Sequence, residues 1–249
     1  MDMLKVATIG FAFALASTVV HAAEFKLVSS NAVKSSLDEL ITRFEKASGH
    51  KVVAKWGPAA VLKVEIEKGE VFDVSILTAG GIDDLIRQGK LDGATRTALV
   101  RSAIGVAVRK GAPKPDISTT EAYKKALLSA KSITYVDQGA SGIYLKELFA
   151  RIGIADAIRS KVKVAPTMAA DFIARGEAEI GMTQISEIIP VAGADFVGPL
   201  PAEYQNYTDF ASAVSSAAKQ GDAAKAFLQF LKTPEAAKVM KAQGLETQS

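Results

Sequence analysis

The stretch FKLVSSNAVKSSLDELITRFEKASGHKVVAKWG, residues 25–57, decides the fold. Phe25-Lys26-Leu27-Val28 is a short apolar strand. From Ser35 to Ala47, Leu37, Leu40, Ile41 and Phe44 recur at helical spacing, which makes one apolar stripe on an amphipathic helix. Ser35 or Ser36 can cap it, and Gly49 stops it. Lys51 to Trp56 is the next strand. A strand, a helix and a strand in this span form a parallel crossover unit.

The same alternation continues outward. Gly57-Pro58 breaks the chain before a helix near Ala59 to Lys68. Val71 to Leu77 is a third strand, Gly80-Gly81 ends it, and a helix from Ile82 closes at Gly89. Strand–helix alternation restarts after about Arg101. Strands are predicted at Ile104–Val108, Ser132–Val136, Lys161–Val164, Ala178–Thr183, Asp195–Leu200 and Ala211–Val214. Helices are predicted at Thr119–Ala130, Gly142–Ile152 and Met168–Arg175, and two more, 223–232 and 234–243, are punctuated by Thr233-Pro234. The fold class is therefore α/β with two sheets in one chain and a cleft between them, where small ligands commonly bind. Lobe one is expected at residues 24–101 plus 209–249, lobe two at 102–208. Hinge strands are expected near 102–108 and 209–214.

Residues 1–23 read as a secretory signal peptide. Lys5 precedes an apolar run from Val6 to Val20, and small residues Ala22 and Ala23 suit cleavage. The run is about 15 residues, shorter than the roughly 20 of a membrane span. Export to the periplasm follows. Thirty Lys and Arg against 27 Asp and Glu, with no basic run, give no nucleic-acid footprint. With no cysteine, disulfides, thiolate metal sites and cysteine nucleophiles are excluded. His50, in the turn after Gly49, is the one histidine beyond the leader and is expected at the surface. Asp83-Asp84 reads as an acid pair at a helix start, and Trp56 as core or cleft wall. No phosphate loop, dinucleotide fingerprint or metal-ligand spacing occurs, so no cofactor or metal is expected.

Four strand-to-helix junctions can carry chemistry. They are Ser29 to Lys34, Trp56 to Ala60, Asp137 to Tyr144, and Gly181 to Gln184. Small and polar residues there leave backbone N–H groups free at helix starts, where the helix dipole favours an anion. The candidate contacts are Ser30, Asn31, Ala32, Pro58, Ala59, Ala60, Ser141, Gly142, Thr167, Met168 and Gln184.

These junctions resemble the periplasmic molybdate-binding proteins and, more broadly, the class II solute-binding proteins of ABC importers. The matching stretches are Ser29 to Ala32, Leu62 to Gly69 with Phe72 to Ile76, Ser141 to Tyr144 with Lys146-Glu147, Gly176 to Gly181 with Ser186-Glu187, and Phe227 to Ala236. The resemblance implies a monomeric two-lobed receptor for a small anion that docks on a membrane permease. It also implies an oxyanion pocket rich in hydroxyls, yet Ala32, Pro58 to Ala60 and Gln184 stand where that family carries serines and a tyrosine. Methyl groups and an amide point to an organic carboxylate instead. Exported aconitate isomerases resemble the same fold family. They imply an alternative in which Ser30, Asn31, Thr167 and Gln184, with Tyr144 in reserve, take part in a proton transfer.

Overall fold

The structure is a computed structural model that describes residues 22–247. The signal-peptide reading of 1–23 lies, apart from Ala22 and Ala23, outside the described residues. The chain runs through β1 (Glu24–Ser30), α1 (Lys34–Ser48), β2 (Lys51–Gly57), α2 (Ala59–Glu67), β3 (Val74–Thr78), α3 (Ala79–Arg87) and β4 (Thr97–Arg109). It continues through α4 (Thr120–Ser129), β5 (Ile133–Thr134), α5 (Ala140–Arg151), α6 (Ala155–Ile158), α7 (Ala169–Ala174), β6 (Ile180–Gln184) and α8 (Ile185–Ile188). It ends with β7 (Ala194–Pro199), β8 (Tyr207–Val214), α9 (Gly221–Leu231), α10 (Pro234–Ala242) and β9 (Glu246–Thr247).

The strand order is β2-β1-β3-β8-β4-β6-β5, with β7 and β9 also on β4. β1 lies parallel to β2 and β3, as the crossover reading requires. The long β4 joins the two lobes. From Thr97 to Ala103 it pairs with β8, from Ile104 to Ala107 with β6, and from Gly105 to Arg109 with β7. Gly105 permits this change of partner, because a Cβ there would lie 2.7 Å from the Phe196 ring and 2.9 Å from Ile185.

Each lobe has its own core. In the first, Phe25, Phe44 and Phe227 meet with ring centroids 5.1–6.2 Å apart under α1 and α9. The other face of that sheet buries Val28, Leu62, Ile66, Leu77 and Ile82 beneath α2 and α3. In the second lobe Tyr123, Leu145, Phe149 and Met182 form the centre. The α1 stripe is buried at Leu37, Leu40 and Phe44, and Gly49 closes the helix at φ 76°. Thr233 caps α10, with Pro234 in its first turn.

Several elements depart from the sequence reading. His50 is buried. It stacks on Phe44 at 5.9 Å and its Nδ1 accepts the Ala23 N–H at 3.1 Å, which ties the start of β1 to the end of α1. Asp83 and Asp84 sit mid-helix, because α3 begins at Ala79 under its Thr78 cap. They pair with Arg96, and with Arg87 and Lys63. The predicted strand Lys161–Val164 makes only a single bridge, Val162 to Ile133. The chain there still runs beside β5, since Lys163 N–H and Ala165 N–H donate to the carbonyls of Ile133 and Tyr135. A short 3₁₀ turn at Arg159–Lys161 replaces its beginning. β5 itself shortens to Ile133–Thr134, and α5 starts two residues earlier than predicted, at Ala140.

Candidate ligand cleft

The four junctions converge. Ser30, Asn31, Ala32, Pro58, Ala59, Ser141, Thr167 and Gln184 line one inner cavity of about 20 Å³, with Val136, Gly139, Ala140, Thr183, Glu187 and Phe210. Such a volume holds about one water. Through Ala59 and Ala140 the cavity adjoins an outer cleft of about 560 Å³. The outer cleft takes in Ala60, Lys63, the start of α3 with its Thr78 cap, Asn206 and Thr208, and also the acidic Asp84 and Asp209.

Local chemistry leaves unpaired donors at these junctions. Pro58 precedes α2 without a side-chain cap. Val61 N–H already takes the Pro58 carbonyl at 3.0 Å, so the N–H groups of Ala59 and Ala60 have no acceptor inside the helix. In α5 the first internal bond runs from Ile143 N–H to the Gly139 carbonyl at 3.0 Å. The N–H groups of Ala140 and Ser141, both on the cavity wall, are therefore free in the same sense. These donors and the aligned helix dipoles favour negative charge. The Ser30 hydroxyl oxygen accepts from Ala32 N–H at 3.3 Å, which leaves its own O–H to donate.

Gln184, at the end of β6, bonds to β8. Its Nε2 donates to Thr208 Oγ1 at 2.9 Å, while its buried Oε1 has no partner. An unpaired buried oxygen costs about 1–3 kcal/mol. The amide can rotate by half a turn, so that Thr208 O–H donates to Oε1 and Nε2 points into the cavity. In that orientation Gln184 is a donor for an anion.

Two of the predicted contacts lie elsewhere. Gly142 lines neither space, because its Cα abuts the Val136 carbonyl; a Cβ there would lie 1.9 Å from that oxygen. Met168 is the cap residue of α7, one step behind Thr167. Tyr144 is off the cavity, with its O–H donating to the Tyr204 carbonyl at 2.9 Å. Trp56 packs on the first core and carries the Lys34 ammonium 5.3 Å from its ring.

Glu187 is the residue that sequence reasoning missed. Among the described residues it is the one ionisable side chain lining the inner cavity. Burial raises its carboxyl above the usual glutamate range, against opposing hydrogen bonds from the Thr183 hydroxyl and the Gln184 backbone N–H. Its signal was the i, i+4 spacing from Thr183 across a strand end and a short helix. That spacing means nothing until β6 is known to end at Gln184.

This geometry, a cleft between two α/β lobes met by helix starts from both sides, defines a solute-binding protein. The chain belongs to the bacterial extracellular solute-binding protein family, whose model matches residues 25–246. It is 34% identical over 246 residues to an aconitate isomerase from Pseudomonas sp, covering 94% of both chains. It is 23% identical to the molybdate-binding protein ModA of Escherichia coli strain K12, covering 98% of this chain and 96% of the relative. The solved periplasmic molybdate-binding protein of Azotobacter vinelandii superposes with a TM-score of 0.77 at 20% identity, covering 90% of this chain and 100% of that one. The two-lobed fold and the resemblance to the molybdate-binding proteins are thereby established.

Proposed function

We propose that the protein is exported to the periplasm and binds a small organic polycarboxylate in the interlobe cleft, as the receptor of an ABC importer. The observation that carries this is the continuity of the inner cavity with the outer cleft. A tetrahedral oxyanion needs one compact ring of donors. Here the inner donors, Ser30, Ser141 and Gln184, suit one oxygen of a carboxylate, in a space of about one water. The methyl walls of Ala59 and Ala60 suit a carbon skeleton, and the start of α3 suits a second anionic end beside Lys63, whose ammonium exchanges its ion pairs with Glu67 and Asp84 for the ligand. Lobe one comprises 24–101 and 209–249, lobe two 102–208, and β4 and β8 bend as hinge strands. A ligand that bonds both lobes favours the closed form, which a membrane permease then reads on a monomeric receptor.

Calorimetry of the leaderless protein with cis-aconitate, trans-aconitate and citrate tests this reading, using the double variant Asn31→Leu, Gln184→Leu. Removing two polar groups from the ligand shell is expected to weaken binding at least about 30-fold, roughly 2 kcal/mol. Unchanged affinity in a folded variant contradicts the placement of the ligand.

A second reading is favoured by Glu187 and by the name of the 34% identical relative. In it, the bound tricarboxylate is also isomerised. A proton leaves the methylene carbon, the double bond shifts by one carbon, and a proton adds at the former vinylic carbon. A closed cleft with one protonatable carboxyl suits such a transfer. Incubating cis-aconitate with the protein in D₂O, followed by proton NMR, separates the two. Conversion with deuterium in the product supports the isomerase, and an unchanged spectrum leaves the receptor reading alone.

A further inference from the structure

Glu187 raises a difficulty for any anion in this cleft. A carboxylate on a cavity wall that has no cation repels a bound carboxylate at close range, more strongly where water is excluded. Among the described residues, no Lys, Arg or His lines the inner cavity. Glu187 is half-buried as a residue and lines the inner cavity.

Among the described residues, the elements packed on Glu187 supply no counter-charge to the cavity. The short α8 that carries Glu187 packs on β4, β6, β7 and the turn after β1. The charged residues of β4 are Arg101 and Arg109. Arg101 pairs with Glu246 at 2.7 Å, and Arg109 lies against Gly176. On β7, Asp195 accepts the Gly111 N–H at 2.8 Å. Lys34, after the β1 turn, pairs with Asp38. β6 carries no charged residue. The C-terminal turn at Gly244 also meets Ile185, and the charged neighbours there are Lys241 and the already paired Glu246.

Resting on the cleft reading above, we propose that Glu187 meets the ligand as a neutral carboxylic acid. Its proton forms a hydrogen bond to a ligand carboxylate, so that binding takes up a proton. Thr183 donates to Oε2 and the Gln184 backbone N–H also donates to the carboxyl; a carboxylic acid keeps its own O–H as a donor beside such accepted bonds. The enclosed site, which burial already biases toward the protonated form, becomes more biased when an anion arrives. As pH rises through the titration of Glu187, the donor is lost and a repulsive charge takes its place. Affinity therefore falls with rising pH.

The test is calorimetric titration of the leaderless protein with cis-aconitate at pH 5.5 and pH 8, beside Glu187→Gln. The amide keeps a donor and cannot titrate, and the ligand's own ionisation is common to both proteins. Wild type is expected to lose at least about tenfold more affinity than the variant over this range. It should also take up more protons per binding event, read from buffers of different ionisation heat. Equal pH dependence and equal uptake in two binding-competent proteins overturn the inference and leave the cleft reading standing. No binding by wild type to any carboxylate overturns both. Wild-type protein labelled with ¹³C-glutamate gives an independent reading should the variant fail to fold. One glutamate carboxyl still protonated in the complex at pH 7.5 supports the proposal, and complete ionisation contradicts it.

Discussion

Asp73→Ala is expected to lower folding stability by about 4 kcal/mol. Asp73 is buried immediately before β3. Its Oδ2 accepts the Lys26 N–H at 2.8 Å, and its Oδ1 accepts the N–H groups of Lys219 and Gln220 at 2.8 and 2.9 Å. One carboxylate thus joins β1 to the segment that returns the chain to lobe one before α9. Hydrogen bonds to a charged acceptor contribute about 1.5–3 kcal/mol each. Alanine leaves three donors seeking partners, and water can reach some of those near residue 219. Asp73→Asn keeps one acceptor oxygen and should lose about half as much. Urea unfolding read by circular dichroism checks the series, and a loss below about 1 kcal/mol for alanine contradicts the clamp.

Gly142→Ala should be nearly as damaging, at about 3 kcal/mol, or a melting point lower by roughly 6–12 °C for a chain of this length. The added methyl would lie 1.9 Å from the Val136 oxygen and 2.8 Å from its carbonyl carbon, both backbone atoms. The loop from Val136 to Gly139 has to move, and Val136 and Gly139 wall the inner cavity. Ligand affinity should therefore fall by at least about tenfold even at temperatures where the variant is folded, since misplacing donors weakens every bond they make. A variant that melts and binds like wild type shows that the loop gives way freely.

The first lobe was legible because its signals are local. The α1 stripe, the Gly49 stop and the apolar runs of β1 and β3 each state their own conformation. The four junctions were also readable, because a strand followed by small polar residues and a helix has one common geometry. The second lobe was harder. Its β5 is two residues long, and its partner near Val162 runs alongside with few ladder bonds, so periodicity had little to act on. His50 looked like a turn residue because nothing local says that Phe44 will stack on it. Gly142 looked like a ligand contact because a glycine at a helix start serves close approach in either direction. In this fold the approaching group is the Val136 carbonyl. Glu187 was hidden for a different reason. A glutamate on a short helix is ordinary, and only the meeting of two lobes encloses it.

The central claim is that the cleft takes an organic polycarboxylate rather than a tetrahedral oxyanion. A thermal-shift panel on the leaderless protein tests it most directly, with molybdate, tungstate, sulfate and phosphate against citrate, cis-aconitate and trans-aconitate. A ligand at about 100 times its dissociation constant adds roughly 2.7 kcal/mol, which raises the melting point by about 5–10 °C. The expected result is a shift of this size with at least one carboxylate and none with the oxyanions. A shift with molybdate and tungstate alone contradicts the account, because the donors of the inner cavity would then suffice for a tetrahedral ligand despite Ala32, Ala59 and Gln184.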